Sequence, residues 1–283
     1  MPGRLGTHDT IESLTTRLEV VLDKLEANLN LALEIPRGTV DGFDSANVFG
    51  DSDNVDNADT DIHDGANTTD DLKIWVAPTQ ARVHQIVSTS TSDDGAPVGV
   101  GSRTIRVHGL TSWTSDPVTE DIIMNGTTNV ATSNSYVMIN EMDVLTHGAT
   151  NINVGVITAT ADTDNTVTSQ INAGEGGTHQ TVYGYPSTRA AYITSWFASV
   201  TKSGGSAGAV DMKLMINDDP DVELLQFHIH AIEGLATAGT SHFEHDFNPY
   251  VRTAGPALIK VQANASGANF TVSAGFDLII ETV

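Results

Sequence analysis

The residues best suited by type and spacing to do chemistry are histidines. His228 and His230 lie two apart in a run of strand character, so their side chains leave the same face, and Glu233, His242 and His245 follow closely. Imidazole and carboxylate together suit a borderline transition metal. Same-face histidines on a strand are more often ordinary cross-strand neighbours, and that reading is adopted. No metal and no cofactor is expected; His228, His230, His242 and His245 are the candidates to watch. A second crowd of ligands, Asp51, Asp53 and Asp56 and then Asp59, Asp61 and Asp64, has the oxygen chemistry that calcium favours. It fails the EF-hand order, because Val55 and His63 stand where oxygen ligands belong and neither loop has glycine at its sixth position. These aspartates read as a solvated acidic linker.

Other chemistries find no support. Gly95, Gly99 and Gly101 precede a strand, whereas a phosphate loop opens a helix. Serine, histidine and aspartate are abundant, but no arrangement singles out a triad. With Cys 0, disulfides, thiolate metal sites and cysteine catalysis are excluded. Trp75, Trp113 and Trp196 read as core or interface aromatics. The chain is expected not to be an enzyme.

The elements that would position these residues are nearly all strands. The exception is Asp9 to Ile35, where Ile11, Leu14, Leu18, Val21, Leu22, Leu25 and Leu29 recur every three or four residues and make one helical stripe. Asp9 with Glu12 forms a capping pair, and Pro36 stops the helix. In heptads, Ile11, Leu18, Leu25 and Ala32 take the a positions and Leu14, Val21, Asn28 and Ile35 the d positions. A lone helix of this length cannot bury its stripe, so it packs either on its own domain or on copies of itself; the long polar segment that follows favours copies, and Ile11, Leu14, Leu18, Val21, Leu22 and Leu25 are expected to form an oligomer interface, most simply a homotrimer.

From Arg37 to Asp71 the chain is polar and aspartate-rich, without periodicity. After Leu72 strand signals run without a break: Lys73 to Val76, Ala81 to Thr89, Arg103 to Leu110, Val118 to Met124, Tyr136 to Leu145, Val154 to Ala161 and Thr166 to Ile171. Asn125-Gly126 predicts a tight hairpin after Met124. A second series follows His179 and ends with a strand near Phe270 to Glu281, expected to be central. The predicted class is all-β, with tandem β-sandwich or jelly-roll domains preceded by one N-terminal amphipathic, coiled-coil-like helix. The boundaries are 1–36 for the oligomerising helix, 37–71 for an acidic extended arm, 72–178 for a first β-sandwich and 179–283 for a jelly-roll-like domain.

Charge narrows the partners. Lys+Arg 13 against Asp+Glu 36 gives a net −23 and a pI near 4.4, which argues against nucleic acid and anionic membranes. So acid a balance, with five lysines (Lys24, Lys73, Lys202, Lys213 and Lys260), resembles proteins of salt-in halophiles. No run approaches the ~18–20 apolar residues of a membrane span, and the first residues lack the apolar core of a signal peptide; a soluble chain is expected.

The segments Val182 to Pro186, Arg189 to Trp196, Ser241 to His245 with Pro249-Tyr250, and Val272 to Leu278 resemble virion structural proteins of tailed viruses, as do Arg103 to Leu110 and Val118 to Gly126. The resemblance spans Leu72 to Val283. It implies a particle component located in the virion: a trimeric capsid decoration or turret protein whose partners are copies of itself and the major capsid or tail proteins. The acidic composition points to a virus of a halophilic archaeon. The alternative within the same resemblance is a receptor-binding tail or head fibre protein that meets a glycan or cell surface. A cupin-like metal enzyme is the third reading. The histidine pair matches that family's spacing, but Glu233 stands too close to it and the framing glycines and proline are missing.

Overall fold

The computed structural model describes residues 13, 15–22, 31, 33–66, 72–202, 207–224, 226–237, 239–267 and 270–283. They fall into two compact units, Met1–Ser45 and Ala46–Val283. In the first unit residues 15–22 are helical, and helix recurs at 31 and 33–34 before a turn over 35–38. The turn closes with Gly38 at φ +70°, its N–H donating to Ile35 O, while Thr39 N–H and hydroxyl cap Glu34 O. Leu18, Val21 and Leu22 are 60%, 58% and 47% exposed. The remaining residues of the expected seam, Ile11, Leu14 and Leu25, lie outside the described residues.

The second unit is built from antiparallel sheets. The strands are β1 (Phe43–Val55), β2 (Thr60–Asp61), β3 (Arg82–Ser88), β4 (Ser102–Leu110), β5 (Val118–Ile123), β6 (Val130–Tyr136), β7 (Met138–His147), β8 (Ile157–Ala161) and β9 (Val167–Ile171). After them come β10 (Tyr183–Tyr185), β11 (Arg189–Lys202), β12 (Gly208–Asn217), β13 (His228–Thr237), β14 (Thr240–Ala254), β15 (Ala257–Ala265) and β16 (Phe270–Thr282). Sheet I has the order β1-β16-β11-β14, and sheet II the order β10-β15-β12-β13, with β2 also on β15. Sheet III runs β6-β3-β8-β9 and sheet IV β5-β4-β7.

Sheets I and II share one core. Alternation supplies it: Phe270, Val272, Ala274, Phe276, Leu278 and Ile280 of β16 are all buried, with half-buried residues between most of them. In β11 the inward set changes phase at a bulge between Ile193 and Ser195, which brings Trp196, Ala198 and Val200 inward. As expected, the last strand is central, between β1 and β11. Sheets III and IV contribute a second core from Ile86, Ile105, Val107, Ile122, Tyr136 and Met142. A third cluster, including Trp75, Leu110, Trp113, Met138, Val182 and Leu258, joins the two regions. Strand β15 lies between them: Ile259, Val261 and Ala263 enter the first core, and Leu258 enters the third.

Three expectations are corrected here. The segment 37–71, in its described part 37–66, is not simply an extended arm or linker: β1 is an edge strand of sheet I, and β2 pairs with Gln262 and Ala263 of β15. Its aspartates hid a strand whose inward residues are as small as Ser52 and Gly50 beside Val48 and Val55. Strands β3 to β9 are therefore an insertion between the first strands and the rest of sheets I and II, and not a domain that simply precedes them. Asn125-Gly126 makes no tight hairpin, because β5 pairs with β4 and β6 with β3; Gly126, at φ +56°, passes the chain from one sheet to another. Finally, Lys73 to Val76 is irregular, with Trp75 buried and its Nε1 donating to Thr168 O at 2.9 Å.

Candidate functional site

The histidines occupy an open flank. β13 and β14, consecutive in the chain, are edge strands of different sheets, II and I, and both are exposed along most of their length. His230 and His245 each meet the ring of Phe247 edge-on, at 5.9 and 4.8 Å between centroids. Burial, and then the neighbouring His228, lowers the His230 pKa below its ordinary 6.5. Among the described residues, the groups close enough to share a metal do not include His228, His230, His242 or His245. Two residues on one strand face share a direction, but a coordination sphere also requires the remaining ligands to converge, and here they spread along two strands.

The aspartate segment is the reverse case. Asp61 is fully buried, and its carboxylate accepts from Lys260 Nζ at 2.7 Å, Gln262 Nε2 at 3.0 Å and Trp75 N–H at 2.9 Å. Lys260 also lies over the Phe227 ring at 4.4 Å. Lys73 pairs with Asp56 at 2.5 Å and Lys213 with Asp59 at 2.9 Å. The expected solvated linker is thus a line of carboxylates facing cations of sheet II and of residue 73.

Beyond this line, Asp64 meets two residues from the β9–β10 connection. One carboxylate oxygen accepts from His179 N–H at 2.9 Å and the other from Asn172 Nδ2 at 2.9 Å, while Asp64 N–H donates to His179 O at 2.8 Å. Gly174 and Gly176, at φ +84° and +77°, fold the loop back so that Glu175 lies 3.2 Å from His179 Nδ1. Ligand atoms of Asp64, Glu175 and His179 all lie within 4.8 Å of one another. Supporting groups fix them: Gln170 Nε2 donates to Asn172 Oδ1 at 2.7 Å, and Phe49 packs edge-on against the His179 ring at 5.5 Å. Burial pushes the Asp64 carboxyl up to about 8, and the nearby Glu175 and Asp51 add to the rise against the hydrogen bond from His179.

Glu175 and His179 were missed in the sequence. Their spacing of four carries a signal on a helix, and here it falls in a glycine-rich loop. A second cluster, His108, Glu141 and Asp143, lies across β4 and β7, with His108 Nε2 3.5 Å from Asp143. Arg106, opposite Asp143 in the register and bidentate to Asp121 at 2.8 and 2.9 Å, supplies a cation there.

Sheet I also carries a groove of about 740 Å³ lined by Thr194, Ser195, Glu244, Asp246, Tyr250 and Asp277, among others. It forms where residues 247–250 of β14 oppose Thr194 alone, since Ile193 pairs with Val251 and Ser195 with Asp246. Ser195 Oγ donates to Asp277 Oδ2 at 2.6 Å and Asn47 Nδ2 to Asp277 Oδ1 at 2.5 Å, which holds the groove floor. Compared with protein-family models, curated proteins and solved structures, the chain matches none.

Proposed function

We propose that the chain is a structural component of a tailed-virus particle, a trimeric decoration or turret protein that covers and stabilises the shell. The reading takes β1 and β10 to β16 as an eight-stranded jelly roll. Its pairs are first with last (β1 with β16), then β10 with β15, β11 with β14 and β12 with β13, the wrap of a folded antiparallel ribbon. Viral capsid domains, lectins and cupins share that architecture, and fold alone does not select among them.

The observation that carries the particle reading is the β13–β14 flank. It presents two long edge strands, with Ile229, Ile232 and Tyr250 exposed at 47%, 58% and 55%. Unpaired edges of this length are ready to pair with another chain, and a component built into a shell has such a neighbour. The exposed Leu18, Val21 and Leu22 support self-association through the helix. Light scattering on the purified chain should give about three times the 29.9 kDa of the monomer. Replacing Leu18 and Val21 by Asp should return the monomer, with an unchanged urea midpoint for the β unit. A wild-type monomer, or absence of the chain from purified particles, would overturn the reading.

The groove on sheet I favours a second reading. Exposed Tyr250 beside Glu244 and Asp246 has the aromatic and acceptor character of a glycan contact. Saturable binding to a defined glycan that Tyr250→Ala abolishes would move the chain to the receptor-binding class.

A further inference from the structure

We propose that Asp64, Glu175 and His179 are the protein ligands of a divalent transition metal, Zn²⁺ before Mn²⁺, which locks together the two connections joining the inserted β region to sheets I and II. The assignment is independent of the particle role.

Geometry carries it. One imidazole nitrogen and two carboxylates converge within 4.8 Å, as atoms around a single ion must. The set is mixed nitrogen and oxygen, which suits zinc, whereas calcium prefers oxygen alone. Three protein ligands leave further positions for water, and the partial exposure of Glu175 and His179, 31% and 35% at the side chain, gives solvent a way in. Asp64 is 4% exposed and is held from behind by Asn172, itself held by Gln170, while Phe49 fixes the imidazole plane. Ligands oriented by such outer partners are what a built metal site shows. The His108 cluster also has two carboxylates, but Arg106 opposite Asp143 already supplies a cation to it, whereas beside Asp64 and Glu175 stands a third carboxylate, Asp51, close enough to raise the Asp64 carboxyl.

The consequence is mechanical. Asp64 lies on the β2–β3 connection, and Glu175 and His179 on the β9–β10 connection; Asp64 and His179 are 115 residues apart in the chain. An ion shared by them closes that loop and stiffens the joint at both crossings. Binding requires Asp64 to give up the proton that burial favours on its carboxyl, and His179 Nδ1 to be unprotonated and to exchange its contact with Glu175 for the metal.

Protein purified without an affinity tag should be stripped with chelator and titrated with ZnCl₂ in 1 M KCl, where exposed carboxylates are screened. One equivalent should bind and raise Tm. Glu175→Gln and His179→Ala should each weaken binding at least tenfold, and Co²⁺ should give a visible band that His179→Ala removes. Glu175 is partly exposed, so Glu175→Gln remains informative even if Asp64→Asn fails to fold. Absence of saturable binding, unchanged binding in Glu175→Gln and His179→Ala, or loss of binding in His228→Ala with His230→Ala instead would each overturn the site.

Discussion

The β13–β14 flank and the junction around Asp61 and Asp64 contain the same kinds of side chain and treat them in opposite ways. On the flank, His228, His230, His242 and His245 are exposed and spread along two strands, and of the four His230 and His245 meet the ring of Phe247. At the junction, residues from β2, the β9–β10 loop and β15 are brought together from distant parts of the chain, and Asp61 and Asp64 are buried. Strand spacing fixes the direction of a side chain, whereas convergence comes from chain reversals and from burial that leaves a charge no partner but another side chain. Polar residues at the junction should therefore be far costlier to change than those on the flank.

The sharpest test sets two ion pairs of one segment against each other. Lys260 and Asp61 are 5% and 0% exposed at the side chain, and Lys213 and Asp59 are 19% and 49%. Lys260→Met strands a buried carboxylate, and its expected cost is about 3–5 kcal/mol. Lys213→Met leaves a carboxylate that water can reach, with a loss of less than about 1 kcal/mol. Urea midpoints give both values; equal losses would break the contrast between a closed junction and an open periphery.

A smaller effect separates buried from exposed charge over the whole molecule. At net −23, self-repulsion among exposed carboxylates should weaken the fold in dilute buffer, and it is screened as the Debye length falls to about 3 Å at 1 M salt. Tm should rise between 0.1 and 3 M KCl, while the difference between wild type and Lys260→Met should change little, because the Lys260–Asp61 pair is shielded from bulk ions. A flat curve would count against the halophilic reading of the composition.

How much of this was legible depended on where the hydrophobic pattern carried it. Strands such as β4, β11, β15 and β16 follow from alternation, and their cores follow from Ile105, Trp196, Ile259 and Phe276. Strand β1 was not legible, because an edge strand with inward Gly50 and Ser52 has hardly any apolar period. Its partner β16 lies at the other end of the sequence, so no local signal reports the pairing. The same holds for the site: Asp64 was one aspartate among many, and nothing near it in sequence announces Glu175 or His179. The histidine pair stood out because it is local, and locality is the property that convergence does not need.

The smallest predicted effect lies on the flank itself. Burial and His228 lower the His230 pKa from 6.5, so between the unfolded value and the lower folded value the unfolded chain holds more protons at this position. Stability then rises with pH across that window. The contribution is intact above about pH 6.5 and declines on acidification below it, which is the sign for a base whose charged form the fold disfavours. Wild type should lose a little stability between pH 7 and 5 that His230→Ala does not lose, and His228→Ala should reduce the loss by removing the like charge. At pH 8 the double variant should lie within about 0.5 kcal/mol of wild type, as surface substitutions do. If it instead loses several kcal/mol there, the flank is a packed element of the isolated chain, and its exposed edge is not where a partner docks.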